Sequence, residues 1–219
     1  MRLKLPDETL EERSLIKAGG NTNRCPYDAA FYANTGNNYR ERLEFVLANA
    51  WRAAYILLLL RPRTILDIGG GMGLLVERFQ SWGRRALGLE ISHYAITQAP
   101  QTVRQSFVQA DATSLPFADH SFDVVVSVNV LEHLPLPQAE AAMQECSRVA
   151  RRGMYHEITV LEDRGVIHRD PTHCTKMAAH AWRRFLSGTL QQWEVRRGIH
   201  IPRYKNGIFV IKKRGEALT

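Results

Sequence analysis

The sequence predicts an α/β protein in which a mostly parallel, doubly wound sheet carries helices on both faces. Short β-branched runs alternate with amphipathic stretches from residue 64 onward, which is typical of parallel sheets. A glycine-rich turn joins the first of these runs to the stretch after it. The turn dipeptide Asn206-Gly207 separates two strand-like segments and predicts an antiparallel hairpin near the C-terminal end.

The composition fits one globular domain. The chain has 219 residues, of which 45% are hydrophobic, and it can therefore bury a full core. Residues 1–17 are charged throughout, so no signal peptide is expected. The longest apolar run, Ala53–Leu60, is too short to cross a bilayer and is bounded by Arg52 and Arg61. With three widely spaced cysteines, these features predict a cytoplasmic protein without a membrane partner.

Hydrophobic periodicity predicts each element in turn. A polar arm, Met1–Asn23, comes first, and Ser92 is the expected N-cap of the third helix. The predicted helices are Tyr39–Leu60, Leu74–Trp82, Ser92–Ala99, Pro137–Ala150 and Lys176–Leu186. The predicted strands are Thr64–Ile68, Ala86–Ile91, Ser106–Ala110, Val124–Asn129, Gly153–Leu161, Trp193–Ile201 and Ile208–Lys213.

The turn after the first predicted strand has the spacing Asp67-x-Gly69-x-Gly71-x-Gly73. Glycine tolerates a positive φ and lets a ligand approach the backbone, and the following helix points unpaired N–H groups at the turn. The nicotinamide fingerprint G-x-G-x-x-G does not fit, because its third glycine would fall on Leu74 or Val76. The turn therefore indicates a site for another polar or anionic ligand.

The chain is basic, with a formal net charge of +7 and a pI of about 9.6. This positive charge suggests nucleic acid as a candidate partner. The basic residues are nevertheless spread in short pairs such as Arg84-Arg85 and Arg151-Arg152, and no long basic run occurs. An arginine-rich, solvated surface is therefore the favoured interpretation.

Four motifs resemble those of the class I S-adenosylmethionine-dependent methyltransferases, in the methyltransferase type 11 group. They are Asp67–Gly73, Glu90, the segment from Asp111-Ala112 through Leu115-Pro116-Phe117 to Asp123, and Leu131-Glu132-His133. The resemblance covers about Leu43 to Val160. It implies a Rossmann-like, doubly wound sheet of seven strands, mostly parallel with a C-terminal antiparallel hairpin. It also implies S-adenosyl-L-methionine as the cofactor and S-adenosyl-L-homocysteine as its product.

The resemblance also implies a division of the chain and a cofactor site. Residues 1–38 would form an arm or lid over the cofactor cleft, residues 39–214 the methyltransferase domain, and residues 215–219 a loose tail. Tyr32 and Tyr39 are candidate lid residues, although aromatics in this segment could instead pack the first helix onto the sheet. The glycines would cradle the methionine moiety, Glu90 would bind the ribose, Asp111 the adenine, and the backbone near Asn129 would lie by the methionine amino group. The predicted cofactor-binding residues are Tyr39, Asp67, Gly69, Gly70, Gly71, Gly73, Glu90, Ile91, Asp111, Ala112 and Asn129.

The predicted catalytic residues are His133, His168, Asp170 and His173. His133 follows strand four and could accept a proton from the methyl acceptor, or it could anchor its loop. The segment His168–Thr175 has three interpretations. It could be a histidine base with an orienting carboxylate, or an ordinary turn and N-cap. It could also be a metal site with His168, Asp170 and His173 as potential ligands and Cys174 as an optional fourth. No metal is assigned.

The predicted function is methyl transfer to an oxygen or nitrogen of a small polar molecule, such as a sugar, an aminoglycoside-like amine or another natural-product intermediate. The alternative is an RNA or protein methyltransferase that uses the basic surface. Asn129-Val130-Leu131-Glu132 stands where many amino-group nucleic-acid methyltransferases have an Asn/Asp-Pro-Pro-Tyr motif, and this favours the small molecule. A third interpretation is a binding subunit without turnover. The expected assembly is a monomer or homodimer.

Overall fold

A computed structural model describes residues 27–34, 43–163, 170, 172–199 and 206–215. The helices are α1 (Ala29–Asn34), α2 (Leu43–Leu60), α3 (Leu74–Ser81), α4 (His93–Gln98), α5 (Gln101–Arg104), α6 (Leu136–Val149) and α7 (Ala179–Thr189), with a 3₁₀ turn at Leu131–His133. The strands are β1 (Thr64–Ile68), β2 (Arg85–Glu90), β3 (Phe107–Gln109), β4 (Phe122–Val128), β5 (Ala150–Ile158), β6 (Trp193–Arg197) and β7 (Gly207–Lys213).

These strands form one seven-stranded sheet in the order β3-β2-β1-β4-β5-β7-β6. The pairs from β3 to β5 are parallel, and β7 runs antiparallel to both β5 and β6. The predicted fold class is confirmed. The winding reverses between β1 and β4, so a crevice opens at the carboxyl ends of these two strands.

The sheet has a hydrophobic core on each face. Along β4, Val124 and Val125 point to opposite cores because successive side chains in a strand alternate. Ile56 of α2 belongs to one core, which α3 also covers, and Trp182 of α7 belongs to the other, which α6 also covers. Helices therefore pack on both faces of the sheet, and this packing holds the carboxyl ends of its strands in place.

Several element bounds differ from the predictions. The helices α1 and α5 were not predicted, and β4 begins at Phe122 rather than at Val124. The last helix begins at Ala179 rather than at Lys176, because the chain before it is extended and the Thr175 amide donates a hydrogen bond to the Glu132 carbonyl at 2.9 Å. Ser92 caps α4 as predicted, accepting a hydrogen bond from the Ala95 amide.

The apolar run Ala53–Leu60 is part of the 18-residue helix α2. Within the described residues, α2 is the one helix whose length and mean hydropathy of 1.5 would suit a membrane span, and 28% of its span is buried. The prediction that this region is too short to cross a bilayer considered only its second half. The first half, Leu43–Arg52, adds further apolar residues.

Candidate active site

The glycine turn after β1 adopts the backbone that its sequence predicts. Gly69, Gly71 and Gly73 have φ values of 66°, 53° and 84°, a region that L side chains rarely adopt. A Cβ on Gly69 would also lie 2.4 Å from a methyl carbon of Val130. The amides of Gly69 and Gly70 donate to the Leu89 carbonyl at 2.7 and 3.1 Å, which fixes the turn against the end of β2.

Glu90, the last residue of β2, ties this turn to the next loop. One carboxylate oxygen accepts a hydrogen bond from the Gly71 amide and the other from the Ser92 amide, both at 2.9 Å. The side chain is buried, and burial raises the pKa of Glu90 above its usual value, while the hydrogen bonds from the Ser92 and Gly71 amides lower it. The Ile91 amide also interacts with this carboxylate and lowers its pKa. A carboxylate has about four acceptor positions, so Glu90 can still accept a further donor.

Asp67, near the end of β1, is also buried. Among the described residues, none donates a hydrogen bond to its side chain. Burial raises the pKa of Asp67 to about 8; the nearby charge of Glu90 adds to the increase and that of Arg52 opposes it. A carboxylate in this setting is suited to a cationic ligand group, which would supply the missing partner.

The loop after β3 brings a third acidic residue to the same sheet edge. Asp111 is exposed, and one of its oxygens accepts hydrogen bonds from the Thr113 amide and hydroxyl, both at 2.8 Å. Ala112 is half-buried beside the core, and Ile91 is 41% exposed. These residues follow β2 and β3, and the Ala110 amide bonds to the Glu90 carbonyl at 3.2 Å.

Asn129 follows β4 with a φ of 54°, and its amide donates to the Glu157 carbonyl at 2.8 Å. Its side-chain oxygen accepts a hydrogen bond from Asn206 at 3.0 Å. Asn206 also donates to the Glu157 carboxylate, which Arg52 holds through two hydrogen bonds of 2.7 and 2.6 Å. This buried network supports the crevice floor at the ends of β4 and β5.

His133 takes part in a chain of hydrogen bonds across the loop after β4. The Thr172 hydroxyl donates to an Asp170 carboxylate oxygen at 2.5 Å and lies 2.8 Å from Nδ1 of His133. Because the single hydroxyl proton goes to the carboxylate, Nδ1 must be the donor to Thr172, and Nε2 then carries a lone pair. Burial lowers the pKa of His133 to about 4; His173 adds to the decrease and Asp170 opposes it. The imidazole is therefore neutral near pH 7.

Part of the chain is similar to proteins of a known family. The profile of a family described as "Methyltransferase domain" matches residues 66–156. An uncharacterized methyltransferase of Mycobacteroides abscessus is 38% identical over 100 residues, and one of Mycobacterium avium is 42% identical over 94 residues. The matches cover 43% and 42% of this chain but only 38% and 36% of those relatives.

Solved structures share the fold over most of the chain. A protein from Pyrococcus horikoshii superposes with a TM-score of 0.66 at 15% identity, covering 85% of this chain and 99% of its own. The magnesium protoporphyrin IX methyltransferase of Synechocystis, solved with bound SAM, gives a TM-score of 0.61 at 18% identity, covering 84% and 94%. Residues 66–156 are therefore similar to a methyltransferase family, and the chain shares the fold of these solved structures over most of its length.

Three side chains in and beside the loop after β4 are close enough together to be potential metal ligands. Glu132, His133 and His173 offer ligand atoms that lie within 4.8 Å of one another, and burial raises the pKa of Glu132 to about 7. This group differs from the metal set considered from the sequence, because Glu132 enters it. Cys174 is exposed, and its thiol lies 3.5 Å from the Thr172 carbonyl.

Most of the predicted site residues meet at one edge of the sheet. The residues at or just after the carboxyl ends of β1 to β4 are Asp67, the four glycines, Glu90, Ile91, Asp111, Ala112 and Asn129. His133, Asp170 and His173 meet in the adjoining loop. Tyr39 and His168 lie outside the described residues. Tyr32 is buried, and its ring lies 5.7 Å from that of Tyr94. The division at residues 38 and 214 stays a prediction.

Sequence reasoning missed two groups in this domain. Arg52 lies on the buried face of α2, and an arginine at such a position indicates a buried acidic partner, although not which one. Thr172 was interpreted only as part of a turn or cap. Its hydroxyl instead bridges Asp170 and His133. Thr172 and His133 are 39 positions apart, so no local pattern reveals their contact.

Proposed function

We propose that this chain transfers the methyl group of S-adenosylmethionine to an oxygen or nitrogen atom of a small polar molecule in the cytoplasm. A sugar, an aminoglycoside-like amine or another natural-product intermediate would fit the polar loop beside the cleft. One observation carries the proposal: a positive-φ glycine turn, the buried Asp67 and the buried Glu90 converge at the point where the sheet reverses.

The residues fit the cofactor by their chemistry. Gly69 and Gly73 keep the turn in a positive-φ backbone, and a Cβ would lie 2.4 Å from Val130 at Gly69 and 3.2 Å from Phe107 at Gly73. Asp67 is a buried carboxyl that ionises when the methionine ammonium group lies beside it, and the remaining acceptor capacity of Glu90 serves the ribose hydroxyls. Asp111 with Ala112 would border the adenine, and Asn129 would lie by the methionine end. S-adenosylmethionine, when bound, would supply a sulfonium methyl: the acceptor lone pair forms the new bond to the methyl carbon while the C–S bond breaks, and the sulfur leaves as a neutral thioether.

His133 supplies the protein's contribution to proton transfer. Methyl transfer needs alignment of donor and acceptor and the removal of one acceptor proton. Nε2 of His133 receives that proton, and Thr172 with Asp170 holds the ring with this nitrogen unprotonated beforehand. Asp170 also stabilises the imidazolium that forms. In this proposal His173 orients the loop beside His133, and His168 remains a candidate for acceptor binding.

Isothermal titration with S-adenosylmethionine and S-adenosylhomocysteine tests the proposal. We expect both to bind, and we expect Glu90→Ala and Asp111→Ala each to weaken binding about tenfold or more, since each removes a hydrogen-bonding group from the cleft. Glu140→Ala, an exposed position on α6, is the control and should bind as the parent does. A parent protein that binds neither compound would refute the function. Equal binding by all variants would refute the site.

An RNA or protein acceptor is the second candidate, favoured by the net charge of +7. Several exposed arginines, however, stand at the amino ends of strands. Arg85 pairs in register with Thr64 at the start of β1, and Arg151 and Arg152 lie near the start of β5. This edge is opposite the proposed cleft, so the charge distribution supports the small acceptor.

A binding subunit without turnover is the third candidate, and a screen for methyl transfer to sugars, amines and phenols tests it.

A further inference from the structure

Helix α2 is apolar on two opposite faces. Its inner face carries Ala48, Arg52, Ala53, Ile56 and Leu60, all buried against the sheet. Its outer face carries Leu43, Leu47, Ala54 and Leu58, and the three leucines are 69%, 59% and 72% exposed. At the rotation of an α-helix, these four residues lie within an arc of about 60°. We call them the α2 stripe.

The α2 stripe is long and uncharged. It spans about 22 Å along the helix axis at the usual rise per residue. The solvent face of a surface helix is normally polar, and a helix that is apolar all round is normally covered on all sides. Trp51 lies beside the stripe and stacks on Tyr55 with ring centroids 4.8 Å apart, which widens the apolar surface.

Basic groups stand at the C-terminal end of the stripe. Lys212 donates a hydrogen bond to the Leu59 carbonyl at 3.0 Å, and Arg152 lies 3.4 Å from the Arg61 carbonyl. Partial burial lowers the pKa of Lys212; the positive charges of Arg196 and Arg152 add to the decrease and the charge of Glu194 opposes it. Arg63 and Arg152 are exposed. An apolar stripe therefore leads into a cationic end.

We propose that the α2 stripe and its basic end dock this protein on an anionic lipid surface. An interfacial helix binds through an apolar face together with nearby cations, and neither feature is sufficient alone. The helix would lie in the plane of the interface rather than span the bilayer, because Arg52 on its inner face is held by Glu157 inside the protein. A second copy of the chain is the less suitable occupant, since one helical stripe falls short of the roughly 800 Å² per partner in a stable dimer. This inference is independent of the proposed reaction.

Flotation of the full-length protein with phosphatidylcholine vesicles, with and without phosphatidylglycerol, tests the proposal. We expect binding only to the anionic vesicles, reduced about tenfold or more by Leu47→Glu or Leu58→Glu, because each puts a charge into the apolar contact. Leu136→Glu is the matched control, since Leu136 is 42% exposed on α6, a helix on the opposite face of the sheet. Arg63→Gln with Arg152→Gln should also weaken binding, whereas Arg183→Gln with Arg184→Gln on α7 should not.

The proposal would be overturned if the parent protein failed to float with anionic vesicles or if Leu47→Glu floated as the parent does. It would also be overturned if the control variants lost as much binding as the stripe variants. Sedimentation of the same proteins completes the test. A parent dimer that Leu47→Glu converts to monomers would show that a second copy covers the stripe, and this too would overturn the proposal.

Discussion

Asp67 illustrates how a single buried residue can connect stability with ligand binding. Its pKa is raised from 3.8 to about 8, so between these two pH values the unfolded chain is ionised while the folded protein holds the proton. The folded state is therefore increasingly disfavoured as the pH rises from 4 to 8, and the penalty is constant above pH 8. A ligand cation beside the carboxylate would reverse this penalty.

Asp67→Asn is accordingly expected to increase the free energy of unfolding of the ligand-free protein at pH 8 and to leave it nearly unchanged at pH 4. Urea unfolding at the two pH values measures this difference. The same variant should bind S-adenosylmethionine more weakly, because the amide supplies no charge to the ammonium group. An equal change in stability at both pH values would contradict protonation of Asp67 as the cause, since a packing change does not depend on protonation.

Thr172 provides a second prediction for a single residue. Thr172→Val keeps the shape of the side chain but removes the hydroxyl between Asp170 and His133, whereas Thr172→Ser keeps the hydroxyl. We expect Thr172→Val to lower kcat by about tenfold or more, because the variant loses part of the rate enhancement that a general base contributes. Its affinity for S-adenosylmethionine should be unchanged. Nitrogen-15 NMR of the His133 ring should show the proton on Nδ1 in the parent and in Thr172→Ser, and a changed tautomer balance in Thr172→Val. An unchanged ring spectrum would contradict the tautomer assignment even if activity fell.

At the scale of elements, the β1–α3 turn gives a test with a matched pair of glycines. Gly69 and Gly83 have similar φ values of 66° and 74°, but a Cβ on Gly69 would meet Val130 at 2.4 Å and one on Gly83 would meet nothing within 4 Å. Gly83→Ala should cost only the strained backbone, about 1 kcal/mol. Gly69→Ala should cost about 1–3 kcal/mol more from overpacking.

Chemical denaturation of the two glycine variants measures these costs, and titration shows their effect on the cofactor site. Gly69→Ala should lose S-adenosylmethionine binding because the turn must move, and Gly83→Ala should keep it. Similar losses of stability in both variants would mean that Val130 moves aside freely. The turn would then depend on its φ values alone.

The same elements show which parts of the structure a sequence can reveal. The β1 strand, the turn and α3 were predictable because their residues are contiguous and the glycine spacing is set by local backbone geometry. The Arg52–Glu157 ion pair was not, because it joins residues 105 positions apart. An arginine in an apolar helix shows that some buried partner exists. Only the packing of α2 across the sheet determines that this partner is Glu157.

For the whole molecule, the alternating pattern was sufficient to predict the sheet class and the edge at which the site forms. Parallel strands with helices between them must bring their carboxyl ends together, so the acidic residues at the ends of β1 and β2 and after β3 were expected to converge. The segment that contains Asp170, Thr172 and Thr175 was less predictable, since its geometry depends on tertiary contacts of Thr172 and Thr175 rather than on periodicity. The outer face of α2 also escaped notice, because periodicity alone does not show which apolar face is covered.

The distribution of charge over the molecule leads to a prediction about RNA. Several arginines are in ion pairs: Arg148 with Glu145 and Asp119, Arg151 with Asp123, and Arg196 with Glu194. These partners reduce the positive field that the net charge of +7 suggests. Because β1 has five residues, the arginines at its amino end lie about 17 Å from the glycine turn. RNA held at that edge would therefore not present a base to the transferred methyl.

We therefore expect bulk tRNA to bind weakly, with an affinity that is lost at about 0.15 M salt, where surface charges are screened beyond about 8 Å. We also expect no transfer of labelled methyl from S-adenosylmethionine to tRNA at low salt. RNA that binds to the arginines at the amino ends of the strands is not brought to the cleft at their carboxyl ends. Filter binding and label incorporation measure the two quantities, and a known tRNA methyltransferase serves as the positive control for incorporation. Incorporation of label into tRNA that is abolished by Glu90→Ala would establish the RNA acceptor in place of the small molecule.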